Sequence, residues 1–295
     1  MERLSHRRRA APLALLAAAL AALLLIPFRP AGGIAPALRA GVRDLQRAQL
    51  AWTLRAWPRL HQGGLTVYYA PGLGSQADIV VAAARLALPQ VLRDFALPAD
   101  TPAVLVVADA AQIQRHTGAV DVLGAYAGGV IWLLPPSAFL RAGAGLAAAY
   151  DATGPVVHEL THLADNLTAG RLPPIWLDEG LAAYEDWRLT GYVWVQAHSG
   201  FGGPTYNWQQ LSGPGFYHLP DQALAFRQAL AAVAAICGSG PGACDRLLGD
   251  MRSGMSTDGA LQAVLGRAGF AALQAGADWR PGRAPVAGAP PPPAP

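Results

Sequence analysis

The sequence predicts an α+β fold: strands early in the chain, then a helix with two closely spaced histidines, and a mainly helical C-terminal part. Three observations predict it. Short apolar runs rich in β-branched or aromatic residues, bounded by Gly or Pro, lie at Leu65–Tyr69, Ala103–Ala108 and Gly128–Leu134 and read as strands. Asp78–Phe95 has apolar residues at helical spacing, with Pro89 placed to kink it. After the third run the strand patterns stop, and Ala223–Ile236, Leu247–Met251 and Ala260–Leu265 read as helices.

The 295 residues, 53% of them hydrophobic, suffice for one large domain or two small ones with an ample core. All 22 basic residues are Arg. Five of them and one Glu fall within residues 1–30, leaving 17 Arg against 18 acids and a net charge of −1 for the remainder. The basic balance belongs to the N-terminus, and nothing in it argues for nucleic acid binding.

Arg7, Arg8 and Arg9 precede an apolar Ala/Leu run from Ala10 to Ile26 that ends at Pro27. A positive stretch followed by such a run reads as a targeting signal, so residues 1–36 are expected to be a signal peptide or a membrane anchor. The arginines stay inside by the positive-inside rule, which places the body outside the cytoplasm, membrane-anchored or secreted. Residues 37–62 follow as a helical stalk or the first helix of the fold, with Leu38, Val42, Leu45, Leu50 and Leu54 at helical spacing and Pro58 at its end. Residues 63–280 make up the main domain. The Pro/Ala-rich tail 281–295 is expected to be disordered. Cys237 and Cys244 bracket Gly-Ser-Gly-Pro-Gly-Ala, and in an exported chain such a pair is expected to form a small-loop disulfide.

The chemistry concentrates in Val156-Val157-His158-Glu159-Leu160-Thr161-His162. Helical residues four apart differ by about 40° in angle, so His158 and His162 project side by side and can share one Zn²⁺. Glu159 sits close enough to act on a water at that ion, the H-E-x-x-H arrangement of metal-dependent hydrolases. Chance is a poor explanation in a chain with seven His and four Glu. After residue 30 the only Glu are Glu159, Glu179 and Glu185. Asp151 or Thr153 can cap this helix, with Pro155 in its first turn. A catalytic zinc needs a third protein ligand, and Glu179, on a second helix starting near Trp176, has the best context.

At these two segments the chain resembles the gluzincin metallopeptidases, and more widely the bacterial peptidase MA-like domains. HELTH is followed by Trp176-Leu177-Asp178-Glu179-Gly180-Leu181-Ala182, which is similar to the W-L-N-E-G-x-A segment of that group. The resemblance implies a zincin-like fold, a small twisted mixed sheet over the metal-binding helix, with His158, His162 and Glu179 as ligands of one zinc per chain and Glu159 as general base. Asp178 stands where the group has Asn. It also implies that Asp186, seven residues beyond Glu179 and about 20° from it around the helix, supports a zinc-bound histidine, whereas Glu185 points elsewhere, into solvent. In zincin folds the sheet edge runs above the metal, and Gly128–Leu134 is either the strand expected there or an ordinary core strand. A donor for the oxyanion is sought among Tyr217, Tyr206, His198 and His218. Thr190–Tyr217, rich in Gly and aromatics, reads as a lid, a substrate wall or a packed loop. The expected activity is hydrolysis of a peptide or protein substrate by an endopeptidase. The alternative is a degenerate zincin-fold module that binds or assembles without catalysis.

Overall fold

The computed structural model of the chain describes residues 35–141, 143–168, 173–196 and 204–276, and of 35–39 the backbone alone. The targeting segment up to residue 34, His198 and the tail 281–295 lie outside the described residues.

The fold is α+β, with a five-stranded mixed sheet of order β1-β2-β3-β5-β4. The chain enters through helix α1 (Ala35–Thr53) and forms the hairpin β1 (Arg59–Gln62) and β2 (Leu65–Tyr69) about Gly63–Gly64. Helix α2 (Gly74–Asp94) then crosses to β3 (Ala103–Val107), which pairs parallel to β2. Pro89 lies inside α2, which continues through it. Helix α3 (Ala110–Thr117) leads to a second hairpin, β4 (Gly124–Ala127) and β5 (Val130–Leu133). Strand β5 inserts beside β3 in parallel.

The period-2 alternation of the strands feeds two cores. Leu65, Val67, Ala103, Leu105, Val107, Ile131 and Leu133 face the larger one. Tyr68, Val106, Val130 and Trp132 face the smaller one, where Leu50 and Leu54 from α1 and its following turn cover them with Ile113 of α3. Helix α1 is thus packed on the sheet as the first helix of the fold.

Two strands escape the sequence pattern, and of the two readings of Gly128–Leu134 the core strand is the one observed. Strand β1 is four residues long and largely exposed, so it carries little apolar signal. Gly128–Leu134 is not the edge strand: Gly128 and Gly129 form the turn, both with positive φ (59° and 84°), and β5 lies inside the sheet. The edge is β4, whose Gly-Ala-Tyr-Ala sequence has no run of large apolar residues.

The second half is helical. Helix α4 (Leu146–Thr153) precedes α5 (Val156–Thr168) and α6 (Ile175–Thr190). The capping expectation for α5 also fails. Thr153 donates its hydroxyl to the Ala149 carbonyl and Asp151 is exposed; both belong to α4, which the short gap before Pro155 concealed. Helix α7 (Trp208–Ser212) and a 3₁₀ turn (Phe216–His218) lie in the aromatic passage before α8 (Gln222–Cys237), α9 (Ala243–Arg252) and α10 (Thr257–Gln274). Helix α10 is interrupted at Gly266 (φ 70°, ψ 170°). Cys237 and Cys244 are disulfide-bonded between α8 and α9.

Candidate metal centre

Helix α5 runs beneath the sheet with Val156, Val157, Leu160, Leu163 and Ala164 in the core. That apolar stripe fixes its rotation and leaves His158 and His162 on the face toward α6, their ring centroids 4.8 Å apart. Helix α6 is anchored by Trp176, Leu177 and Leu181, all buried. It also crosses α8 closely at Gly180, where an added Cβ would stand 2.6 Å from the Ala229 carbonyl oxygen and 2.7 Å from a Val233 methyl. This close crossing fixes the helix turn that carries Glu179.

His158, His162 and Glu179 therefore meet, with one ligand atom from each lying within 4.8 Å of the others. Glu179 Oε2 is 3.2 Å from His158 Nε2 and 3.8 Å from His162 Nε2. Tetrahedral ligands on metal bonds of about 2.0–2.1 Å stand roughly 3.3 Å apart, and the two distances from Glu179 Oε2 lie near that edge length. The Nδ1 atoms are taken: His158 Nδ1 is 3.2 Å from Asp186 Oδ2 and His162 Nδ1 is 2.6 Å from Asp178 Oδ1. Each carboxylate favours the tautomer that presents Nε2 to the centre. The donor set of two imidazoles and one carboxylate fits a zinc ion with an open position.

Without an ion the charges settle among these groups. Burial works against a charged His162, but the carboxylates of Asp178 and Glu179 outweigh it and push its pKa up to about 9. Burial acts likewise on His158, and the hydrogen bonds of Asp186 and Glu179 outweigh it, raising it well above the usual value. For Glu179 burial is overcome by His162 and His158, which hold the carboxyl down at about 2. Burial raises Asp186, partly offset by His158 through both its ring and its backbone N–H. Asp186 thus serves the first turn of α5 as well as the imidazole.

Glu159 is buried, and its pKa rises to about 7 because burial outweighs the pull of His162 and His158. Its Oε2 has no hydrogen-bond partner among the described residues. The carboxylate lies under edge strand β4, where a Cβ on Gly124 would approach its Oε1 to 2.8 Å. An orphaned carboxylate oxygen beside three ligand atoms suits a group that takes a proton from water at the centre.

Of the oxyanion candidates among the described residues, only Tyr217 is seen at the site, its hydroxyl donating to Glu179 Oε1. Burial, together with the Glu179 charge, raises its pKa, so the hydroxyl stays protonated. The Tyr206 hydroxyl instead accepts from the Asp221 backbone N–H at 2.7 Å. Glu185 is not solvated: it is buried and paired with Arg188 at 2.7 Å, and Arg188 also holds Asp94 of α2. The rotation of α6 that buries Asp186 brings Glu185 against α2 as well. Asp178 as the partner of His162 has one local sign in the sequence, an acid directly before the expected third ligand. The sequence reading misses Asp165, fully buried beside Asp178, whose burial and neighbouring charge raise its carboxyl well above the usual range.

No protein-family model matches the chain, and no curated protein matches it.

Proposed function

We propose that the chain is a zinc-dependent endopeptidase with a zincin-like site, exported and acting on peptide or protein substrates. The observation that carries this reading is the meeting of His158, His162 and Glu179 with the buried, partnerless Glu159 oxygen beside them. His158 Nε2, His162 Nε2 and Glu179 Oε2 would hold one Zn²⁺. Bound there, the ion supplies Lewis acidity, lowering the pKa of water and polarising the scissile carbonyl.

The chain's own groups do the rest. Glu159, with its pKa raised toward neutrality, accepts the proton of the attacking water at its carboxylate and returns it to the leaving amine. The protonated Tyr217 hydroxyl, turned from Glu179 Oε1, is a donor for the developing oxyanion. The outer edge of β4 pairs with no strand among the described residues and lies beside Glu159, and an extended peptide can add there as a further strand. The Cys237–Cys244 disulfide accords with an oxidising, extracytoplasmic compartment.

The test is metal analysis of purified protein together with cleavage of a peptide library. Wild type is expected to carry one zinc per chain and to cleave. His162→Ala should lose both, and Glu159→Gln should keep zinc but lose cleavage by at least about 10²-fold. Zinc retained by wild type without cleavage of any peptide would sink the enzyme reading in favour of a binding or assembly module.

A further inference from the structure

Asp165 has no part in the proposed chemistry, yet it is 0% exposed, and neither of its oxygens meets a donor among the described residues. On α5 it follows His162 by three positions, about 4.5 Å further along the axis and about 60° round the cylinder. Helix α6 brings Asp178 against both residues. Asp178 Oδ1 lies 2.6 Å from His162 Nδ1, and the Asp178 carboxylate is in hydrogen-bonding contact with the Asp165 carboxyl. An ionised carboxyl buried without a donor is costly, and two carboxylates in contact cannot both keep their charge. One proton between them removes both difficulties, because the protonated acid donates and the ionised one accepts.

The proton belongs to Asp165. The side chain of Asp178 is 28% exposed and its Oδ1 already receives the His162 N–H, so Asp178 carries the negative charge at the lower cost. Asp165 is shielded from solvent altogether. Burial first, and then the charge of Asp178, raises its carboxyl well above the usual range. Burial is a general means of keeping a carboxylic acid neutral so that it can donate a hydrogen bond.

We propose that Asp165 is a positioning residue of the metal centre: as a neutral acid it donates to Asp178, and Asp178 in turn holds the His162 ring with Nε2 toward the centre. The inference rests on the proposed zinc site and deepens it. The Asp165 hydrogen bond fixes one rotamer of Asp178 and so the direction of the carboxylate that His162 meets. It does this without adding negative charge to a centre that already has the carboxylates of Glu179, Asp186 and Asp178 around its histidines. No proton is transferred: His162 shares its Nδ1 hydrogen with Asp178 Oδ1, and Asp165 keeps its own when zinc binds.

The test uses the full chain with Asp165→Asn, Asp165→Ala, Asp178→Ala and the double variant Asp165→Ala/Asp178→Ala. Zinc affinity is read by competition with a fluorescent chelator. The protonated acid is read by its C=O stretch in the infrared difference between wild type and Asp165→Asn, with and without zinc, at neutral pH. Asp165→Asn, whose amide still donates, is expected to bind zinc within about two-fold of wild type, and Asp165→Ala about ten-fold more weakly. In the Asp178→Ala background, Asp165→Ala should change affinity by no more than about two-fold, since it acts through Asp178. The protonated-acid band should be present in both metal-free and loaded protein. Wild-type affinity in Asp165→Ala, with only its melting temperature lowered, would make Asp165 a purely structural residue and overturn the inference. A loss in Asp165→Asn as large as in Asp165→Ala overturns it too, because an ionised carboxylate would then be required. So does a ten-fold loss that persists without Asp178, or a difference spectrum without the band. Should Asp165→Ala fail to fold, Asp165→Asn and the band decide between the same outcomes. Wild type that takes up no zinc sinks the metal-centre reading itself, and the inference with it, a result distinct from each of these.

Discussion

His162 shows how the site is held at the level of single residues. Its Nδ1 meets Asp178 at 2.6 Å and its Nε2 faces Glu179, so one carboxylate orients the ring that the other approaches. Asp178→Ala is expected to weaken zinc binding by about 10–100-fold while leaving the fold intact, measured by competition with a fluorescent chelator. If affinity were unchanged, Asp178 would be a bystander. The charges also set a pH dependence. His162, raised to about 9, and His158, raised well above its usual value, are protonated in the metal-free protein at neutral pH. A ligand must be neutral, so binding of zinc near pH 7 should release about two protons, and affinity should rise with pH. Titration calorimetry in buffers of different ionisation enthalpy counts those protons. The metal-free protein should behave in the opposite sense. A histidine with a raised folded pKa contributes stability that is complete below about 6.5 and is lost as pH rises through about 9. Melting in the presence of a chelator should therefore weaken across that window.

At the scale of elements, the site depends on helices whose faces are fixed elsewhere. Helix α6 presents Glu179 and Asp186 correctly because Trp176, Leu177 and Leu181 hold its other side and because Gly180 lets α8 approach. Gly180→Ala would force a methyl to within 2.6 Å of the Ala229 carbonyl oxygen. The overpacking should cost roughly 1–3 kcal/mol by denaturant unfolding, partly offset by the better helix propensity of Ala. A neutral or stabilising result would mean that the two helices slide apart freely. Strand β4 shows the converse. Its Gly-Ala-Tyr-Ala sequence has little intrinsic claim to be a strand, yet pairing with β5 makes it the sheet edge over Glu159. The absence of a side chain at Gly124 leaves room for the carboxylate beneath it.

At the scale of the molecule, the described residues between 35 and 276 belong to one compact unit in which α1, the sheet and the helices share two cores. The Cys237–Cys244 disulfide staples α8 to α9 across a short loop. Closure of so short a loop restrains the unfolded chain by about 2–3 kcal/mol in the chain-entropy account, so Cys237→Ser/Cys244→Ser should melt several degrees lower with zinc content unchanged. Loss of zinc in that variant would mean that the α8–α9 corner transmits to the metal helix.

The sequence by itself determined the local chemistry: the histidine pair and Glu159 on one helix, the candidate ligand Glu179 on the next, and the strand runs of β2 and β3. These follow from spacing of 3.6 or 2 residues and from turn residues, all encoded over a few positions. Tertiary structure decided the rest. Whether Arg188 reaches Asp94 and so holds Glu185 against α2, whether Asp178 faces His162, and which strand lies at the edge are set by packing partners 16 to 94 residues away along the chain. No local pattern records such a pairing, because its energy appears only when both elements are already in place.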